Sequence, residues 1–172
     1  MTWTHARLPL LLAIVVGVLT LPLPAPAADP PIVQLATGSG QFEYTSDTGV
    51  TALRTFSFEA RMLGDGTVSG NAQVKNRATD QTLNIRIDCL NVIGNVAILS
   101  GVAWSATGPG NTDGDGAIFA VEDNGQGANG GPDRVTYAYT GSGLVCTDVT
   151  AANIGDLNPL FYDVKGGNVQ IH

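Results

Sequence analysis

Apolar and polar residues alternate along most of the chain after Pro31, with the two-residue period of β-strands that bury one face. Residues 54–62 and 83–89 show the alternation most regularly, and each segment predicts a strand whose apolar side chains face a core. The predicted inward positions are Phe56, Phe58 and Ala60 in the first strand and Leu83, Ile85, Ile87 and Cys89 in the second.

Short turn signals separate the predicted strands. Asp65-Gly66 is a strong hairpin signal, and Gly94-Asn95 fits a two-residue turn with glycine first. Residues 107–116 and 123–132 predict Gly-rich loops, and a short helical turn is expected within residues 151–163. The predicted strands cover residues 41–44, 54–62, 68–75, 83–89, 96–105, 117–121, 134–140, 144–149 and 168–171.

About eight evenly spaced strands predict an all-β fold, either a small antiparallel β-barrel or a strongly coiled β-sandwich. Glycine inside a strand permits sharp bends and bulges, so the glycines within the strand patterns favour a curled sheet. The last strand, Asn168–Ile171, is expected to pair with the first strand region, residues 33–44, or to close the sheet beside it. The glycines that lie within the strand patterns are Gly38, Gly40, Gly70 and Gly101.

The N-terminal residues follow a different pattern. Leu8–Leu21 is an unbroken apolar run, shorter than the roughly 20 residues of a transmembrane helix. Ala25-Pro26-Ala27 places small residues at the two positions that a signal peptidase recognises, which predicts cleavage after Ala27, with Ala28 as the second choice. We therefore expect a signal peptide at residues 1–27, one all-β domain at residues 28–172, and secretion to the extracellular space or periplasm. An uncleaved membrane anchor is the alternative.

The charge of the chain limits its partners. The formal net charge of the 172 residues is −7, and it becomes −8 when Arg7 leaves with the signal peptide, because no acid precedes Asp29. Nucleic acids and anionic membranes are bound by clustered Lys and Arg. We therefore expect no nucleic-acid partner and no membrane insertion after signal cleavage. Cell-surface or extracellular components are the expected partners.

The sequence contains two cysteines, Cys89 and Cys146. In an exported chain an even pair predicts one disulfide, here joining a central strand to a late segment. The competing interpretation is two small buried thiols, because free cysteine packs well in a core.

The histidines exclude several classes of enzyme. His5 lies in the predicted signal peptide, and His172 is the last residue. A Ser-His-Asp triad, a Cys-His pair or a histidine zinc site needs an ordered internal histidine. We therefore expect no enzymatic activity. An enzyme that uses carboxylates alone remains the alternative, since the chain has fifteen acids.

The most suggestive metal-binding motif is Asn111-Thr-Asp113-Gly-Asp115-Gly116, which fits the start of a calcium-binding loop with Glu122 at the twelfth position. The predicted strand at 117–121 carries Glu122 away from the other ligands. A looser Ca²⁺ site of Asn111, Asp113 and Asp115 remains open, and a solvated Asp/Gly turn is the competing interpretation. No cofactor is otherwise expected, and folding is predicted not to require calcium.

Several short motifs lie at residues 56–58, 88–95, 123–127, 132–133 and 166–172. Together they resemble an uncharacterised group of bacterial exported β-domains that occur alone behind a signal peptide or at the C-terminal end of larger surface proteins. The resemblance implies an exported all-β fold with a terminal Gly-Gly-Asn-Val-Gln-Ile-His strand, and it implies no activity.

Together these features favour a secreted, non-catalytic β-domain that acts as a structural or interaction module of the cell exterior. A carrier of a small apolar ligand is the second hypothesis. It would use an apolar barrel interior lined by residues such as Phe56, Phe58, Ile85, Ile87, Val102 and Trp104.

Overall fold

The computed structural model describes residues 28–46, 48–108, 112–125 and 130–172, so the predicted signal peptide lies outside the described residues. The described residues form ten strands and two 3-10 helices, Cys146–Asp148 and Ile154–Leu160. The strands are β1 (Ile32–Thr45), β2 (Thr51–Leu63), β3 (Val68–Asn76), β4 (Thr82–Ile93), β5 (Val96–Ala106), β6 (Gly116–Glu122), β7 (Arg134–Thr136), β8 (Tyr139–Thr140), β9 (Phe161–Asp163) and β10 (Gly167–Ile171).

All the strands belong to one antiparallel sheet, which curls strongly into a half-barrel. Its order is β10-β1-β2-β3-β4-β5-β6-β7-β9, and β8 also pairs with β6. The all-β prediction is confirmed, and the sheet takes the curled form that the glycines favoured. At Gly101 the curl needs glycine, because a Cβ atom there would lie 2.0 Å from the carbonyl oxygen of Arg86 on β4.

The main core fills the concave side of the sheet. Aromatic rings dominate it: Phe58 meets Phe119 edge to face with centroids 5.8 Å apart, and Phe42 lies 5.6 Å from Tyr162. These contacts join β1 and β2 to β6 and β9, which are distant in the sheet order. Because the sheet curls, side chains from its two halves meet and bury one another. A single sheet can form a hydrophobic core in this way.

A β-bulge in β4 corrects one predicted inward position. Ile87 is paired with Gly101 and Cys89 with Ser100, so Asp88 is an extra residue on β4. An extra residue reverses the alternation of side chains beyond it. Leu83, Ile85 and Ile87 face the core as predicted, but Cys89 packs on the outer face and Leu90 takes the next inward position.

Three predicted strands differ from the structure. The strand predicted at 41–44 is the last part of the longer β1, Ile32–Thr45. Residues 144–149 form no strand and instead contain the first 3-10 helix. The strand predicted at 134–140 is divided into β7 and β8, because the Thr136 hydroxyl accepts a hydrogen bond from the Ala120 N–H at the break. The short helical turn expected within 151–163 is confirmed as the second 3-10 helix, Ile154–Leu160.

The terminal strand pairs with the first strand, as predicted. Ile171 lies opposite Ala36 and Val169 opposite Gly38, and Val169 is fully buried. Leu35 and His172 exchange both backbone hydrogen bonds. Because N–H groups alternate between the two sides of an antiparallel strand, those of Val169 and Ile171 point away from β1.

Two carboxylates accept these outward N–H groups. Asp133 Oδ2 accepts the Val169 N–H at 2.7 Å, and Asp123 Oδ2 accepts the Ile171 N–H at 3.1 Å. The second oxygens hold the loop itself: Asp133 Oδ1 accepts the Asn124 N–H and Asp123 Oδ1 the Gly125 N–H. The loop after β6 thereby fastens β10 from the side opposite β1.

We expect Asp133→Asn to lower the free energy of unfolding by about 2–4 kcal/mol, because hydrogen bonds to a charged acceptor are strong and the amide cannot accept both N–H groups in the same geometry. Urea denaturation would measure the change. Asp156→Asn, at an exposed acid of the second 3-10 helix, is the matched control. Equal stabilities of the two variants would contradict this role for Asp133.

Candidate functional site

Residues 142–160, here called the covering segment, pass over the outer face of β5 and β6. Outward side chains of these strands form a second apolar cluster there, separate from the main core. Val149, Ile154 and Leu157 of the covering segment pack against it. The buried strand residues of this cluster are Val96, Ile98, Ile118 and Ala120.

One end of the covering segment is fixed to β4 and β5. The predicted disulfide between Cys89 and Cys146 is confirmed, with the two Cα atoms 5.8 Å apart. The Cys146 N–H donates to the Ser100 hydroxyl, and the Asn91 amide donates to the carbonyl oxygens of Cys146 and Val149. Cys89 and Asn91 reach the segment because the bulge at Asp88 turns this part of β4 outward.

The other end of the segment leads into β9, where Arg134 holds it. The guanidinium lies over the Phe161 ring, 4.9 Å from its centroid, and Nη2 donates to Asn158 Oδ1 at 3.4 Å. Arg134 also pairs with Glu122 across β6 and β7. The hydrogen bond from Arg134 lowers the pKa of Glu122, so this carboxylate is charged at neutral pH.

A pocket of about 290 Å³ lies between the covering segment and the sheet. Its floor is formed by Ile98, Ile118 and Ala120, and Leu157 and Leu160 line it from the segment. Such a volume falls near the lower end of the range for small-molecule sites, about 300–1,000 Å³.

The rim of the pocket is partly open to solvent. Leu144 is 53% exposed there, and Tyr139 is 38% exposed. Burial of its ring raises the pKa of Tyr139, so the phenol keeps its proton at neutral pH and can donate a hydrogen bond. Among the described residues that line the pocket, none is acidic, basic or a thiol. The arrangement is therefore suited to holding an apolar molecule, with hydroxyl groups at Thr136, Tyr139 and Ser142 as its polar side chains.

The interior of the half-barrel differs from the predicted ligand cavity. Phe56, Phe58, Ile85 and Ile87 are buried in the main core, and the void beside Phe56 and Phe58 measures about 10 Å³. That space is too small for an organic ligand. Trp104 does not line the interior, because it lies on the outer face, and Val102 is only partly buried.

Two of the predicted calcium ligands accept backbone N–H groups, one at the end of β5 and one in the loop after it. Asp113 Oδ1 accepts the Ala106 N–H at 2.8 Å, and Asp115 Oδ2 accepts the Thr112 N–H at 3.1 Å. Asn111 lies outside the described residues. The described part of the chain contains no group of three or more His, Cys, Asp or Glu that could hold a metal ion. Calcium binding by Asn111, Asp113 and Asp115 stays a prediction.

The fold and the pocket define a disulfide-stabilised, all-β half-barrel with an apolar site on its outer face. Comparison of the chain with protein-family models, curated proteins and solved structures finds no match. Membership of the bacterial group that the motifs resemble therefore stays a prediction. The helices of the described residues lack the length and apolarity needed to cross a lipid bilayer.

We expect the double variant Cys89→Ser/Cys146→Ser to lose about 2–4 kcal/mol of stability, because the disulfide closes a loop between residues 57 positions apart. Urea denaturation with and without a phosphine reductant would measure the loss. The wild-type protein should be weakened by the reductant, whereas the double variant should be insensitive to it. A wild-type protein that is equally stable in both conditions would show that the disulfide does not hold the covering segment.

Proposed function

We propose that this chain is an exported, non-catalytic β-domain that binds a small apolar ligand in the pocket beneath the covering segment. The observation that carries the proposal is the pocket of about 290 Å³, formed mainly by apolar side chains of β5, β6 and the segment, with hydroxyl groups at Thr136, Tyr139 and Ser142. A well-formed apolar pocket with a few polar groups is the usual form of a small-molecule site.

The size of the pocket limits the ligand. If each non-hydrogen atom is given the volume of one water molecule in the liquid, about 30 Å³, then 290 Å³ accommodates roughly ten such atoms. A medium-chain alcohol, a simple aromatic or a monoterpene-sized compound has this size. A hydroxyl or carbonyl group on the ligand would be placed at the rim, where the Tyr139 phenol supplies a hydrogen-bond donor.

The chemistry of the lining supports binding without catalysis. General acid-base and covalent catalysis need a titratable or nucleophilic group in contact with the substrate, and a hydroxyl nucleophile also needs an adjacent base. The described lining residues supply the hydroxyl groups of Thr136, Tyr139 and Ser142 but no histidine, lysine or carboxylate to activate them.

Acids close in sequence to the pocket residues are engaged or exposed: Glu122 pairs with Arg134, and Asp148 accepts the Val145 N–H at 2.8 Å. Asp156, next to Leu157, is exposed to solvent and is not among the lining residues. A ligand-binding role without catalysis is compatible with an interaction module of the cell exterior. The proposed ligand site lies on the outer face of the sheet, whereas the sequence predicts a site in the barrel interior.

Fluorescence of the neutral probe 1-aminonaphthalene, which is close to the estimated ligand size, tests the site. We expect the protein to enhance its emission, and 1-octanol or a monoterpene alcohol to displace it. Leu144→Gln, which places an amide at the pocket rim, should weaken probe binding about fivefold or more, because apolar contact area is lost and an amide is desolvated.

Val50→Gln is the matched control, since Val50 is 62% exposed in the turn before β2 and Leu144 is 53% exposed. This control variant should bind the probe as the wild-type protein does. The proposal would be wrong if the two variants bound the probe equally well, or if the wild-type protein gave no enhancement.

Export is the second part of the proposal, supported by the apolar run Leu8–Leu21, the Ala25-Pro26-Ala27 site and the disulfide. We expect protein recovered from outside the cell to begin at Ala28 or Asp29 and to contain no free thiol. Intact mass measurement, with and without thiol alkylation, would check both. Retention of Met1 would contradict cleavage.

A further inference from the structure

Trp104 lies on the outer face of β5, with 56% of its surface exposed to solvent. It is the only tryptophan in residues 28–172, because the other, Trp3, belongs to the predicted signal peptide. Indole is the largest side chain, and tryptophan is enriched where proteins contact a partner.

A second β-bulge presents this side chain. Asn84 is paired with Ser105 and Ile85 with Ala103, so Trp104 is an extra residue on β5 with no residue opposite it on β4. Bulges are enriched beside functional sites, where they redirect one side chain. Here the bulge keeps Ala103 in the main core while the neighbouring indole lies on the outer face.

An open groove of about 420 Å³ extends from Trp104 across the outer face of β4, β3 and β2. Ser57, Gln73 and Asn84 form one row across these strands, since Ser57 is paired with Gln73 and Gln73 with Asn84. At about 4.8 Å between neighbouring strands, the row from β2 to β5 spans roughly 14 Å. That length is comparable to a short oligosaccharide.

Hydrogen bonds fix the amides of this row in place. Gln73 Nε2 donates to Asn84 Oδ1 at 2.8 Å, and Asn84 Nδ2 donates to the Ser105 carbonyl oxygen at 3.2 Å. A side-chain amide has two donors and an oxygen with two lone pairs, so each retains capacity for a ligand. Asn71 adds a third amide and Glu59 a carboxylate to the same groove.

We propose that this groove binds a neutral oligosaccharide, with one sugar ring stacked on Trp104 and the hydroxyl groups bonded to Asn71, Gln73 and Asn84. The apolar C–H face of a pyranose ring suits the π-face of indole, and the sugar hydroxyls need both donors and acceptors, which amides supply together. Among the described residues that line the groove, Glu59 is charged and none is Lys or Arg; Arg86, which is paired with Asn71, is not one of them. The domain carries a net charge of −8 without residues 1–27. Acidic and sulfated glycans are therefore disfavoured.

Intrinsic tryptophan fluorescence tests the proposal directly, because protein lacking residues 1–27 has Trp104 as its single tryptophan. Cellohexaose, xylohexaose, chitohexaose and maltohexaose would be titrated, with hexagalacturonate as the acidic comparator. We expect at least one neutral hexasaccharide to change the emission saturably and hexagalacturonate to have no effect. Isothermal calorimetry would give the affinity independently of the fluorophore.

Trp104→Ala should weaken binding about tenfold or more by calorimetry, and Trp104→Phe should weaken it less, because a smaller aromatic face remains. Gln73→Ala is a second variant at an exposed position and should also weaken binding. Leu144→Gln should bind sugar as the wild-type protein does, because no residue in the described part of the chain lines both the groove and the apolar pocket. Failure of every neutral hexasaccharide to bind at millimolar concentration, or unchanged affinity in Trp104→Ala, would overturn the proposal without bearing on the apolar pocket.

Discussion

The N–H groups of Val169 and Ile171 point away from β1, and the way they are satisfied determines how the curled sheet is completed. A buried N–H group without an acceptor costs roughly 1–3 kcal/mol, and an exposed row of them invites pairing with another chain. Asp133 and Asp123 supply charged acceptors in place of a further strand. The loop after β6 therefore supplies the hydrogen-bond acceptors that a neighbouring strand would supply. The backbone of Val169 is satisfied in this way while its side chain is buried in the core.

This closure also positions the candidate site. After the covering segment, β9 pairs with β7 and β10 pairs with β1. These two pairings fix the end of the covering segment, because β9 follows it directly in the chain. The beginning of the segment is fixed independently by Cys89, Asn91 and Ser100. The covering segment is fixed at its two ends and packs on the apolar outer face of β5 and β6. The pocket of about 290 Å³ lies between the two fixed ends.

The alternation of the sequence predicted β2 to β6 and β10, because a strand with one buried face imposes a two-residue period. It did not predict β9, because three residues are too few to show a period. Most of β1 gave no such signal: Gly38 has no side chain to alternate, and a Cβ atom there would lie 2.9 Å from the carbonyl oxygen of Asn168. The bulge at Asp88 was not predictable either, because it depends on the pairing with β5, and so Cys89 was assigned to the wrong face. Asp123 and Asp133 resembled ordinary turn residues, since their acceptor role depends on a strand distant in sequence.

The two bulges in the β4–β5 pairing explain why both candidate sites lie on the outer face. One adds Asp88 to β4 and the other adds Trp104 to β5, so the pairing at Leu83–Ala106 and at Ile93–Val96 keeps the same register. The bulge in β4 reverses the alternation of the residues after it, which brings Cys89 outward, and the bulge in β5 presents Trp104. The inward positions between them, Ile85 and Ile87, still pack against the aromatic core. Because the two bulges compensate each other, the hairpin that joins β4 to β5 keeps its register. The sheet can therefore keep a filled interior while Cys89 and the Trp104 indole lie on its outer face.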